Sequence, residues 1–488
     1  MPIKENSHQK ERFAKDFVLI ALVNLFLALK GVILVPIITK ILGTEDYGVY
    51  SQVFVTISLA SPVLLLGLHA TLVRFLSAEK DKELIKDGIY SVLSIVFTFS
   101  LLVGGFLFFY PTLLSDFFQT SPIIIKILAF VIVTEVLNQI FFAVFRAFGK
   151  MKVFSLFMGL QVGLEVILII VSLKMGFGLQ GVLWSLLLSR AFVLLIMFVK
   201  ITRQVGFKKP EFIKIKPYFA YGLPILSSGF FYWVLQSSDR YLINYFRSIS
   251  EVGIYAAAYN LGMALPAMLA AIFGLVLPPN LAKHFDEGDM DLVNDYIKYS
   301  LKYFLAFSIP VVFLFGILSE VLLRIFSSSE IASGGFLIVP LSALAMLFMG
   351  LTIILGQVLA LKKKTFIIGS VWFVAALINI ALNFFAIPRY SILGAGAVTV
   401  ISFFIVMVLT AYYARRELKY EFDWMFVLKS IVASGLASYI VYQINPSRVL
   451  TVVISGLVFI TIYLLILILL GGFEMKEFNL LKKFYKKI

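Results

Sequence analysis

Thr44-Glu45-Asp46-Tyr47-Gly48-Val49-Tyr50 is answered later in the chain by Ser250-Glu251-Val252-Gly253-Ile254-Tyr255, with Gly48 and Gly253 set 205 positions apart. Both segments are short and acidic and end in Gly-aliphatic-Tyr. Each leads into an apolar run with a proline well inside it, Pro62 and Pro266. Other landmarks recur in the same order. Glu79-Lys80-Asp81-Lys82-Glu83-Leu84 matches Asp286-Glu287-Gly288-Asp289-Met290-Asp291-Leu292, each a polar start to a helix. Arg146-Ala147-Phe148-Gly149-Lys150-Met151-Lys152 matches Ala360-Leu361-Lys362-Lys363-Lys364, and Leu179-Gln180-Gly181 matches Ile392-Leu393-Gly394. The chain therefore contains an internal repeat.

Fourteen apolar stretches frame these landmarks: 17–38, 49–75, 88–110, 122–147, 153–174, 181–203, 218–246, 254–278, 299–322, 333–360, 365–387, 393–414, 425–444 and 449–472. A helix crosses the hydrocarbon core with about 20 residues, so each can span a bilayer. The repeat unit is six spans. Six is even, so both copies enter the membrane in one orientation, related by an axis along its normal. The expected fold is all-α and polytopic. A first lobe covers 1–203, a linker 204–217 and a second lobe 218–414. The region 415–488 adds spans 13 and 14 and a basic tail.

Charge fixes the orientation. Of 42 Lys and Arg, seven fall on one side: Lys40, Lys126, Lys174, Arg247, Arg324, Arg389 and Arg448. Lys30, Arg190 and Arg240 lie deep inside spans, and the remaining 32 collect on the other side, in its loops and tails and at the span ends beside them. The positive-inside rule makes that basic side cytoplasmic, with both termini on it, in a cell membrane. The chain is 61% hydrophobic and 14% charged, with a net charge of +15 and a mean hydropathy of +1.00. Its basic excess faces anionic lipid headgroups, which excludes nucleic acid as a partner. Cysteine is absent, so thiol chemistry and Cys-type metal sites are excluded. The first apolar stretch carries no small-residue cleavage pattern and reads as a retained span.

Specific stretches resemble a known family. Leu42-Gly43 with Tyr47, Gly48 and Tyr50, the Arg146–Lys152 run, Pro224 with Asp239-Arg240, and Gly253-Ile254-Tyr255 look like the polysaccharide flippases of the multidrug/oligosaccharidyl-lipid/polysaccharide exporter superfamily. The resemblance runs in order along the whole chain. It implies a two-lobed transporter that moves polyprenyl-(pyro)phosphate-linked oligosaccharide from the cytoplasmic to the outer leaflet by alternating access. Glycosyltransferases or a glycan polymerase would be its partners. Two rivals stand beside it: a lipid II-type flippase, and a cation-coupled multidrug exporter of the MATE type. The drug exporter calls for acid inside span 1, where this chain carries Lys30.

Ionisable groups inside spans are functional candidates by default. Lys30 lies eight residues from the end of span 1, about 12 Å of helix, a strained reach for snorkelling. With Arg240 and Arg190 it forms the candidate set of cations for the lipid phosphate, since an arginine fork suits phosphate. Asp239 and Arg240 are neighbours in span 7 and project about 100° apart. Glu165 and Arg190 sit at equal depth across the hairpin of spans 5 and 6. They read either as a neutralising ion pair or as an ion-responsive carboxylate with its counter-ion. Glu135 has no evident partner in the sequence. Glu165, Glu135 and Asp239 are the carboxylates that could couple transport to a proton or sodium gradient, or serve structure alone. His69 reads as interfacial. Asn138, Gln161, Asn379, Asn383 and similar amides read as interhelical hydrogen-bonders.

The chemistry of an enzyme is not signalled. Gly176-Phe177-Gly178-Leu179-Gln180-Gly181 fits a dinucleotide pattern but sits in a turn between spans, without the strand that such a loop requires. No phosphate-binding loop for a nucleotide is present, and the acidic stretch 286–295 lacks calcium-loop spacing. No cofactor or metal is expected.

Overall fold

The computed structural model describes residues 3–473 and Glu477, with the side chains of 3–29, Val32, Ser227 and Ser228 outside that description. Among the described residues every regular element is a helix. They are α1 (Ile3–Leu65), α2 (Leu68–Leu76), α3 (Lys82–Phe109), α4 (Thr112–Phe117), α5 (Pro122–Ala147), α6 (Met151–Lys174), α7 (Gly178–Val205) and α8 (Ile215–Phe246). They continue with α9 (Ile249–Asp286), α10 (Met290–Phe326), α11 (Ser329–Gly335), α12 (Ile338–Leu361), α13 (Thr365–Glu417), α14 (Trp424–Ile444) and α15 (Val449–Leu469). Helix is the answer that hydrocarbon allows, because each backbone N–H and C=O must find its partner within the segment. The ends are marked by local chemistry. Asp81, Asp289, Ser328 and Asp423 cap the starts of α3, α10, α11 and α14 through side-chain oxygens on backbone N–H groups.

Eleven helices of the described residues are long and apolar enough to cross a membrane. Two hold a pair of the expected spans: α1 is broken at Gly43 and α13 at Ser391, where the backbone leaves the helical region. The structure departs from expectation in two spans. Span 2 is interrupted at Leu66 and Gly67, both at positive φ, which splits it into the end of α1 and the separate α2. The tenth span starts at Ile338, because residues 329–335 form a short separate helix.

Contacts divide the chain into two compact units, Met1–Gly253 and Ile254–Ile488. The division falls well after the expected linker at 204–217, and α8 groups with the first unit. Two features account for this. Gly67 and Gly222 bring the α1–α2 break and α8 into backbone contact: a Cβ on Gly67 would overlap the Gly222 carbonyl, and one on Gly222 the Leu66 carbonyl. Nearby, Thr71 donates to the Tyr218 carbonyl. The linker itself is clasped. The buried Asp87 of α3 accepts from the backbone N–H groups of Glu211, Phe212 and Ile213 at 2.6, 3.1 and 2.9 Å, and from Ser91 at 3.0 Å. Tyr90 donates to the Gly206 carbonyl, and Lys214 pairs with Glu79.

In the first unit α5 is the central helix, packed against α3, α7, α2 and α1. In the second, α12 packs between α10 and α13, and α14 and α15 lie against α10. Helices α5 and α12 occupy matching places in the repeat. Each buries 67% of its most apolar stretch, more than any other span. The matched glycines also serve matched purposes. A side chain on Gly181 would collide with Phe177 and Ser172, and one on Gly394 with Ala386, so each allows a hairpin of spans to close. Gly48 and Gly253 are reciprocal. A Cβ on Gly48 would overlap the carbonyl of Ile249, and one on Gly253 would overlap the carbonyl of Thr44. Thr44 and Ile249 are themselves repeat equivalents, and Ser250 hydrogen-bonds Thr44 beside them at 3.3 Å.

Candidate functional site

Four ionisable groups from four helices of the first unit meet inside it. Lys30 (α1) donates to Glu165 (α6). Arg190 (α7) reaches the other oxygen of Glu165 at 3.3 Å. Its Nε donates to Glu135 (α5) at 2.8 Å. Two cations and two carboxylates thus form one neutral chain, Lys30–Glu165–Arg190–Glu135. Surrounding groups complete it. Gln139 donates to Glu135 at 2.8 Å, Arg190 donates to the Leu186 carbonyl at 3.2 Å, and Asn138 donates to the Arg190 carbonyl at 3.1 Å.

The local sequence dictates this arrangement. Glu135, Asn138 and Gln139 lie on one face of α5 at i, i+3 and i+4, and α5 is central, so that face looks onto α6 and α7. The tight hairpin at 175–178 sets Glu165 and Arg190 at one depth. Both are buried, Glu165 at 1% exposure. Isolated charges there would each cost several kcal/mol, and only mutual pairing with further hydrogen bonds makes the cluster tolerable. Exposure is uneven. The two ends are the more open: the Lys30 side chain keeps 16% of its surface and Glu135 13%, against 6% for Arg190 and 1% for Glu165. The Lys30 ammonium also sits 5.3 Å from the centre of the Phe54 ring. Lys30 is therefore the open cationic end of the chain.

Asp239 and Arg240 lie next to one another on α8. Both are buried in α8. The Arg240 guanidinium donates to the Gln236 carbonyl at 2.9 Å and lies 3.6 Å from the Asp239 carboxylate. Gln52 of α1 donates to the Arg240 carbonyl at 2.8 Å, tying the two helices together. The two side chains meet despite their 100° divergence, because the guanidinium folds back along its own helix.

Sequence reasoning left Glu135 without a partner; in the structure it binds Arg190. It also missed Gln52 and Asp87, whose partners are backbone groups remote in sequence. In the second unit it missed the buried pair Lys302–Glu477 at 2.7 Å, where Lys302 also lies over the rings of Phe426 and Phe473. The position of Lys302 just inside span 9 was the available signal. Asn379 donates to Ser402 at 3.0 Å, and Asn383 to Asn379 at 3.1 Å, joining the two spans within α13. Asn138 likewise bonds across helices, while Asn24 lies outside the described side chains. No group of three or more metal-ligating side chains is present among the described residues.

A bundle of apolar helices with a buried charge relay has the architecture of a multi-pass membrane protein. Solved structures place the fold. The chain is similar to lipid II flippase MurJ in an inward closed conformation, with a TM-score of 0.75 and 15% identity, covering 93% of this chain and 98% of that one. It is also similar to an inward-facing multidrug resistance MATE family transporter of the MOP superfamily, with a TM-score of 0.64 and 14% identity over 81% and 94% of the two chains. Residues 13–285, more than half of the chain, match the family described as polysaccharide biosynthesis protein, and the chain belongs to that family. Residues 245–464 match the lipid II flippase MurJ family. Among curated proteins, a probable low-salt glycan biosynthesis flippase of Haloferax volcanii is 22% identical over 269 residues, covering 54% of this chain and 55% of that protein. An uncharacterised membrane protein of Methanocaldococcus jannaschii is 22% identical over 54% of this chain and 52% of its own length. The chain thus aligns with about half the length of the curated relatives it matches.

Proposed function

We propose that this protein is a flippase for polyprenyl-(pyro)phosphate-linked oligosaccharide, carrying it from the cytoplasmic to the outer leaflet for surface glycan synthesis. Membership of a polysaccharide biosynthesis family and the likeness to a glycan flippase support the class. The observation that carries the chemistry is the half-open end of the charge relay. Lys30 holds Glu165 on one side and keeps an accessible edge on the other. An arriving phosphate competes with Glu165 for Lys30, and Glu165 retains Arg190, so no carboxylate is left unpaired. A lipophilic drug cation gains nothing from an exposed ammonium, which repels it at short range.

Arg240 is proposed as the equivalent cation of the second repeat. The two six-span repeats are proposed as the moving lobes, with both termini cytoplasmic, as the basic asymmetry requires. Glu135 and Glu165 are the carboxylates through which a proton or sodium gradient would act, because neutralising either would loosen the grip on Arg190. A lipid II-type substrate shares the same pyrophosphate and polyprenyl chemistry, so the glycan separates the two readings. The test is leaflet translocation in liposomes. The wild-type protein is expected to move a short polyprenyl-pyrophosphate oligosaccharide, and Lys30→Glu to abolish movement while remaining inserted. Undiminished transport by Lys30→Glu would remove the phosphate role.

A further inference from the structure

Helix α8 carries Phe230, Trp233, Ser237 and Tyr241 at i, i+3, i+7 and i+11, one stripe along the helix. Their rings form a continuous ladder. Phe230 and Trp233 are near-parallel, 22° apart with centroids 6.4 Å apart. Trp233 lies 6.0 Å from Tyr241. Tyr241 meets Phe117 at 6.2 Å and Phe118 at 6.3 Å, at the loop after α4. Phe118 is fully buried and fixes that end, whereas Phe230 is 36% exposed and Trp233 and Tyr241 are partly exposed. Hydroxyls line the same edge. The Trp233 indole N–H donates to Ser58 at 2.9 Å, and the Tyr241 and Thr56 hydroxyls bond at 2.7 Å.

Two ordinary explanations fall short. Interfacial belts hold Trp and Tyr at headgroup level, yet Trp233 lies thirteen residues inside the Phe246 end of α8, about 20 Å of helix. Core packing would bury the rings and would not call for hydroxyls beside them. A sugar ring has a flat apolar face of C–H groups and a rim of hydroxyls. Aromatic faces beside a few placed hydroxyls suit such a ligand, and a row of them suits several sugars in succession.

We propose that Phe230, Trp233 and Tyr241 form a stacking track for successive sugar rings of the glycan, with Ser237 and the acceptor oxygens of Ser58 and Thr56, whose protons go to the Val55 and Gln52 carbonyls, meeting their hydroxyls. This rests on the flippase reading, and it assigns the glycan to α8 and the phosphate to Lys30. Under the orientation argued above, the track runs from mid-membrane to the outer loop, along the path of a glycan leaving the protein.

The test uses the full chain in lipid nanodiscs with Trp184→Phe, Trp372→Phe and Trp424→Phe, so that Trp233 alone reports. The probes are lipid-linked oligosaccharide extracted from the source cells and the matching polyprenyl phosphate without glycan. Trp233 emission is expected to change with the first probe and not with the second. In the otherwise wild-type chain, Trp233→Leu should weaken binding of the glycan-bearing lipid about tenfold, or about 1.4 kcal/mol, and leave the bare phosphate unaltered. Trp233→Phe should restore most of the loss. Phe230→Leu, at a partly exposed position, gives the same selective loss without risk to the fold. Equal weakening of both probes, or none of either, overturns the track while leaving the flippase reading in place. If the wild-type protein moves no lipid-linked glycan yet Trp233 still responds to it, the flippase reading falls and the track stands.

Discussion

Glu165 touches two cations and Arg190 touches two carboxylates, so neither can be exchanged as half of a simple pair. A two-residue reading of the hairpin predicts that Glu165→Arg with Arg190→Glu restores what each single change loses. The four-residue relay predicts the opposite. The swap sets a carboxylate at 190 against Glu135 and a guanidinium at 165 against Lys30, two like-charge contacts in a buried site. The double variant is therefore expected to be no more stable than the singles, measured as the detergent-solubilised melting temperature. Arg190→Ala leaves Glu135 without its cation and Glu165 with Lys30 alone, and should cost about 3–5 kcal/mol. The hairpin pairing was legible because depth can be counted along two antiparallel helices. The rest was not. Which face of α5 meets α7, and how far Lys30 reaches, depend on helix rotation, which the apolar pattern of a membrane span leaves almost unmarked.

At the scale of elements, the hairpin turns and the linker carry testable consequences. Gly181→Leu and Gly394→Leu press a side chain into Phe177 and Ala386 respectively. Each should lower the yield of folded protein, read by monodispersity on gel filtration, whereas Gly105→Leu, with open space around it, should not. The linker clasp predicts protection. Amides of residues 211–213 should exchange slowly, and Asp87→Ala should expose them to exchange and to proteolysis. Acid acts in the same direction. Glu79 titrates below its ordinary value because Lys214 hydrogen-bonds it. A carboxylate with a lowered folded-state value supports the clasp above the ordinary range and loses that support as pH falls through the lowered value. Cleavage within 204–214 should therefore rise in acid. The extent of the spans was readable from hydropathy, but the clasp was not: its partners are backbone N–H groups, which every residue but proline possesses.

For the whole molecule, the predictions concern topology and cargo. The charge asymmetry predicts that a reporter fused after Ile488 behaves as cytoplasmic and one inserted at 111–121 as external. An externally active C-terminal fusion would defeat the orientation and the same-sense repeat together. The cation in span 1 predicts no efflux of ethidium-like dyes, with or without a proton or sodium gradient. Dye efflux dependent on Glu135 or Glu165, with no glycan movement, would favour the drug exporter. The membrane-length helices were legible because hydropathy marks them. The boundary between compact units was not, since a covalent linker marks where the repeat is joined and says nothing of which side a helix packs on.

The reciprocal approach of Gly48 and Gly253 has a further property. Two backbones touch there with no side chain between them, so the contact tolerates no added atom, and Tyr47, Val49, Val252 and Tyr255 are buried beside it. The crossing acts as a key whose shape admits a single register. A methyl group at either position should destroy the fit outright, and by the repeat symmetry Gly48→Ala and Gly253→Ala should fail alike. At this point selectivity comes from the shape of the backbone and not from the chemistry of any side chain.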